Sequence, residues 1–87
     1  MERPVIQRKE DGIPLSSLEP GAEGTILRVQ GAGRLHRRLL EMGFTEGARI
    51  RVAREAPLGD PVDYEIRGYH VSLRRSEAAL VIVRPEA

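Results

Sequence analysis

The sequence predicts a mainly β domain: a small, partly open β-barrel of about five strands, with one short α-helix after the first strand and a helical turn before the last. Three observations lead there. Five segments of strand length carry alternating or briefly continuous apolar residues, while a single segment has helical period. The connections between them are dense in Gly and Pro. The chain has 87 residues, 40% of them hydrophobic, too few for two packed sheets, and closing one sheet on itself removes exposed edges.

Each element has its own signal. Residues 1–12 mix Arg3, Arg8 and Lys9 with Glu2, Glu10 and Asp11 and read as a mobile tail, because such a stretch buries too little to offset its ordering entropy. The domain proper then spans 13–87. Leu15 and Leu18 flank two serines in a turn that pins the chain to the core, and Glu19-Pro20-Gly21 is a tight turn. Residues 24–30 form the first strand, with Ile26, Leu27 and Val29. Gly31-Ala32-Gly33 ends it. The helix runs over 34–42, where Leu35, Leu39 and Met42 make an apolar stripe with Leu40 beside it. Gly43 is its left-handed stop, and Phe44 folds back on the last turn. Residues 48–54 alternate Ile50 and Val52 with Arg49 and Arg51. After the loop Ala56-Pro57-Leu58-Gly59-Asp60-Pro61, residues 62–67 alternate again, with Val62, Tyr64 and Ile66 inward. Gly68 turns the chain into 69–73, where Val71 and Leu73 face the core. A helical turn at 76–78 precedes the last strand, 80–83, which Pro85 closes.

Composition excludes several classes of function. Fourteen Lys and Arg against thirteen Asp and Glu leave a net charge of +1, without the basicity of a protein that lives on nucleic acid or anionic lipid. With no cysteine there is no disulfide framework, iron–sulfur cluster or thiolate zinc site. No apolar run nears the roughly twenty residues of a membrane span, and no charged-then-apolar leader suggests export. The expectation is a soluble, cytoplasmic domain.

The charge is locally uneven. Six Arg and two Glu fall within 34–54, and four acids and one Arg within 55–70. Cross-strand pairing accounts for much of this. The strands flanking the 55–61 loop run antiparallel, and aligning Val52 with Tyr64 sets Arg51 opposite Glu65. The same explanation serves Arg49 and Asp63. The helix is different. Arg34, Arg37 and Arg38 occupy its N-terminal half and Glu41 its end, the reverse of what the macrodipole favours. No Ser, Thr, Asp or Asn caps it, and Gly33 is the best residue available. Long Arg side chains can simply solvate an outer face. Three of them around an uncapped helix start would also attract an acidic surface or a phosphate.

Signals for metal and catalysis are weak. His36 and His70 are the only histidines; they sit on different elements without a metal-ligand spacing, and both read as outward-facing. Ser16, Ser17, Ser72, Ser76, Thr25 and Thr45 are candidate nucleophiles with no His and Asp arranged beside them. Gly31-Ala32-Gly33 lacks the third Gly, the Lys and the Ser/Thr of a phosphate-binding loop. No cofactor, metal site or catalytic residue is expected, and the chain does not read as an enzyme.

The order of motifs resembles the FeoA family, the small cytoplasmic component of bacterial ferrous iron transport. The resemblance runs from Leu15 to Val83 and rests on LSSLEPGAEGTI, RLHRRLLEMGFTEGARI and APLGDPVDYEIRGYHVSLRRSEAALVIV, in that order. It implies an SH3-like barrel. It also implies a non-enzymatic accessory of ferrous iron uptake that docks on and modulates the membrane transporter FeoB at its cytoplasmic GTP-binding side. The same domain follows the DNA-binding part of metal-dependent repressors, but no helix-turn-helix precedes it here.

The resemblance transfers no contact residue, so the partner-binding surface is read from chemistry: Arg34, Arg37 and Arg38 on the outer helix face, with Leu58 in the Pro-rich loop. Two other readings stay open. One is a small nucleic-acid-binding barrel, supported by the arginines of 34–54 but short of exposed aromatics for stacking. The other is a metal-responsive module using His36 and His70, akin to the C-terminal domain of iron-dependent repressors. Neither nucleic acid nor direct membrane insertion is expected, and pairing of two copies through a free barrel edge is left open.

Overall fold

The computed structural model describes residues 12–86. Six strands, β1 (Ile13–Pro14), β2 (Glu23–Val29), β3 (Arg49–Glu55), β4 (Val62–Ile66), β5 (Tyr69–Leu73) and β6 (Val81–Pro85), form one antiparallel sheet in the order β1-β6-β2-β3-β4-β5. Helix α1 (Arg34–Glu41) follows β2, and the single turn α2 (Arg75–Ala78) precedes β6. A 3-10 turn over Leu15–Ser17 packs on α2. The chain after β1 and the chain after β5 are thus joined by short helical pieces rather than by a strand ladder.

The expected register is the observed one: Val52 pairs with Tyr64 and Arg51 with Glu65. Ile50, Val52, Val62, Tyr64, Ile66 and Leu73 all turn into the core, as alternation requires. Two details depart from the sequence reading. Ile13–Pro14 pairs with Val83 and Ile82 as a sixth strand; two residues show no alternation and so left no signal. The last strand starts at Val81 and runs through Pro85, opposite Gly24. Leu80 instead ends the preceding turn, its carbonyl accepting the Gln30 N–H at 2.7 Å. The stretch read as a tail lies outside the described residues except for Gly12, which is buried against Ile82 and Leu27.

The helix ends as its sequence predicts. Gly43 takes φ 103°; its N–H reaches the Leu40 carbonyl at 3.0 Å, and the Phe44 N–H reaches Leu39 at 3.1 Å. This is the Schellman pattern, with Leu39 and Phe44 both fully buried. The stripe is narrower than expected: Leu39 is buried, Leu35 and Met42 are partly so, and Leu40 keeps 38% of its surface.

The β4–β5 hairpin locks onto this helix end. Its two-residue turn has positive φ at Arg67 (51°) and Gly68 (86°), the pattern of a type I′ turn. That geometry sends the Arg67 side chain to the helix, where Nε donates to the Gly43 carbonyl at 3.3 Å and Nη2 to Thr45 Oγ1 at 2.8 Å. The Tyr69 hydroxyl donates to the Met42 carbonyl. Carbonyls that a helix C-terminus leaves unpaired are satisfied here by a cation and a phenol.

Candidate interaction surface

The α1 N-terminus has none of these fastenings. Gly33 precedes it at φ 90°, no side chain caps it, and no acid stands in its first turn. His36 turns its Nδ1 toward the Gln30 carbonyl, 3.5 Å away. Arg34 and Arg37 are exposed and have no acidic partner among the described residues. Arg38 differs: its guanidinium lies 3.1 Å from Glu77 of α2. The three arginines therefore divide into two free cations and one engaged in joining the two helices.

Arg38 also faces the Pro-rich loop. It lines a groove of about 570 Å³ with Asp60, Pro61, Ser72, Arg74 and Glu77. A second groove, of about 540 Å³, lies on the outer face of β3–β5 and shares Pro61 and Ser72 with the first. Between them stands the 56–61 loop, with Leu58 at its tip and 96% exposed. The structure thus brings Arg38 and the Leu58 loop to one side of the molecule, while Arg34 and Arg37 line neither groove.

Sequence reasoning missed the residue that holds this loop. Arg75, the first residue of α2, donates from its side chain to the Gly59 carbonyl, to the Ser16 carbonyl (3.1 Å) and to Glu55 (3.0 Å). Its backbone N–H donates to Asp60 Oδ1 at 3.0 Å. One guanidinium fork therefore ties the loop to the 3-10 turn and to the end of β3. Beneath the loop Tyr64 is 1% exposed. Burial is the main cause that pushes its phenol up to about 12, with Asp60 and Glu55 adding to it and Arg75 opposing.

The remaining strand charges are mostly paired. Arg51 makes two hydrogen bonds to Glu65, and these, before the guanidinium's charge, hold the Glu65 carboxyl below its ordinary range. Arg49 reaches Glu23 (3.2 Å) and Glu86 (3.7 Å) rather than an acid on β4. Asp63 lies between Arg54 (3.9 Å) and His70 (3.2 Å). Among the described residues no three His, Asp or Glu side chains gather as metal ligands, and no helix is long and apolar enough to cross a membrane. Tyr69, the one aromatic with much exposed surface at 43%, is tied down through its hydroxyl.

Architecture and surface together define a class: a small SH3-like barrel whose accessible chemistry is charged and apolar contact surface. Comparison with known proteins gives the family. The FeoA domain family matches residues 13–85, and the chain belongs to it; members are non-catalytic accessory proteins. A curated relative from Porphyromonas gingivalis, a fusion of Fe(2+) transport protein A with the Fe(2+) transporter FeoB, is 51% identical over 69 residues, 79% of this chain. The chain spans only 8% of that relative's length. Among solved structures, a FeoA-like protein of Clostridium acetobutylicum superposes with a TM-score of 0.82 at 32% identity, covering 87% of this chain and 88% of its own. The zinc-complexed FeoA of Stenotrophomonas maltophilia, described as a procaryotic SH3 domain protein, gives 0.74 at 30%, covering 83% and 93%. A manganese-dependent transcriptional repressor gives 0.78 over 86% of this chain and 37% of its own, but at 22% identity, a likeness of fold alone.

Proposed function

We propose that this chain is a cytoplasmic accessory protein of ferrous iron uptake that docks on the FeoB transporter and modulates it from the GTP-binding side. One observation carries the reading: in the Porphyromonas gingivalis relative the matching segment and a FeoB transporter are one polypeptide. Fusion raises the effective concentration of two modules that work in contact. The free guanidiniums of Arg34 and Arg37 supply long-range attraction toward an acidic or nucleotide-bearing surface. Arg38 supplies a contact in the groove that it lines with Asp60 and Pro61, and Leu58 an apolar contact at the exposed tip of the same loop.

The test is retention of full-length FeoB from solubilised membranes on the immobilised chain, with and without guanine nucleotide, at low and moderate salt. Retention that depends on nucleotide and weakens with salt is the expected result. Absence of retention in every state would overturn the docking reading. Salt-insensitive retention, unchanged when Arg34, Arg37 and Arg38 are reversed to Glu in a folded chain, would move the surface elsewhere.

A further inference from the structure

Leu58 is the most exposed large apolar residue of the described chain, at 96%. A lone surface leucine needs no explanation, but this one sits on an unusually well-fastened support. Ala56-Pro57-Leu58-Gly59 is a β-turn closed by the Gly59 N–H on the Ala56 carbonyl at 2.7 Å. The Ala56 N–H in turn donates to the Pro61 carbonyl at 3.0 Å, closing the loop at its base. Arg75 then grips the loop from below through Gly59, Asp60 and Glu55. Nothing in such a turn calls for leucine at its third position, where polar residues and Gly are the usual occupants. Pro57 and Pro61 are exposed on either side, so the tip is a small apolar cap rather than a single stray side chain.

We infer that Leu58 is a preformed anchor that enters an apolar pocket on a protein partner, and that Arg75 is the positioning residue that holds it out. The inference rests on the docking reading above and adds the chemistry of the contact. Rigidity is what makes the feature useful: a loop already fixed in its bound shape loses little conformational freedom on association, and a few well-buried side chains carry most of an interface's energy. The nearby charges favour a protein over a lipid surface. Arg75 is paired with Glu55, Arg38 with Glu77, and Arg54 lies 3.9 Å from Asp63. Arg74, exposed beside the loop without an ion-pair partner among the described residues, shares its groove with Asp60. One cation therefore stands near the cap, rather than a basic collar of the kind that holds an apolar tip on anionic lipid. The receiving pocket is about one leucine wide, with a rim of little net charge.

The experiment is a double-mutant cycle on affinity for detergent-solubilised FeoB, using Leu58→Ser, Arg75→Lys and the pair. Melting temperatures check that each variant folds, and amide exchange is read at Ala56 and Gly59, the loop amides that donate hydrogen bonds. Leu58→Ser is expected to weaken binding about thirtyfold or more without lowering the melting temperature. Arg75→Lys keeps the charge but loses the fork. It is expected to speed exchange at the loop amides and weaken binding about three- to tenfold in the Leu58 chain, yet add nothing in the Leu58→Ser chain. Wild-type binding that survives Leu58→Ser within about threefold would overturn the anchor and leave the docking reading standing. Wild type that does not bind FeoB at all would overturn both. Fast exchange at the loop amides of the wild type would overturn the preformed state whatever the transporter does. Sedimentation of the wild type, but not of Leu58→Ser, with phosphatidylcholine–phosphatidylglycerol vesicles would replace the protein pocket with a lipid surface.

Discussion

The two ends of helix α1 are built on opposite principles. At its C-terminus the Schellman turn, the Tyr69 hydroxyl and the Arg67 guanidinium engage the backbone between Leu39 and Gly43. At its N-terminus there is no cap and no acid, and two arginines stand without partners among the described residues. Eight residues make a marginal helix, so the fastened end and the packing of Leu39 must supply what the open end lacks. The difference teaches where the fold has settled its own polar groups and where cationic groups remain free to meet another molecule.

The fastened end gives the largest expected effects. The hairpin that clamps it carries two tyrosines in contrasting settings, Tyr64 inside and Tyr69 at the rim. Burial raises the Tyr64 phenol to about 12, so the folded state keeps this proton at pH values where the unfolded chain has lost it. The associated stability is complete below the unfolded value near 10 and falls away as pH rises from there to about 12. The loss is on the order of 2–3 kcal/mol at 1.4 kcal/mol per unit. Denaturant titrations at pH 9 and 11.5 should show it, and Tyr64→Phe should remove this part of the alkaline loss. An identical loss in Tyr64→Phe would assign it to other groups.

Next comes Gly43→Ala. The substitution forces a Cβ into φ 103° and brings it to 3.0 Å from the Tyr69 hydroxyl and 3.3 Å from Arg67 Cδ. A cost of about 1–2 kcal/mol follows from the backbone alone, and the clamp must shift as well. Tyr69→Phe isolates the clamp. It removes the donor to the Met42 carbonyl and should cost about 1 kcal/mol in thermal or urea unfolding. If it costs nothing, water replaces the phenol and the end is less fastened than its geometry implies.

How much of this was legible depends on the distance over which each signal acts. The Val52–Tyr64 register followed from alternation on two strands separated by a short loop. The Gly43–Phe44 stop followed from helical period and a residue tolerant of positive φ. Both are local patterns. The partner of Arg38 is 39 residues away, and the Ser16 carbonyl that Arg75 holds is 59 residues away. The position of such a carbonyl exists only after the sheet has closed, and RRSEAAL gives no local reason to separate Arg75 from Arg74. Leu58 was legible as an apolar residue in a breaker-rich loop; that the loop is held by α2 was not. Ile13–Pro14 had too few residues to show any period.

The smallest effect on stability discriminates best between the two ends. Arg34 is the first helical residue, where the macrodipole disfavours a cation and favours an acid. Arg34→Glu should therefore raise stability by about 0.3–1 kcal/mol, seen as a modest rise in the urea midpoint with an unchanged slope. The same change reverses a charge on the surface proposed to steer docking, so FeoB binding should weaken and lose part of its salt dependence. Opposite signs in the two measurements are what a helix start kept basic for a partner requires, since the macrodipole by itself favours the acid. If Arg34→Glu stabilises the domain and leaves binding untouched, the open end is a solvated face and the contact lies with Leu58 and Arg38. If it destabilises the domain, Arg34 has a structural role that its exposed position does not show, and the contrast between the two helix ends fails.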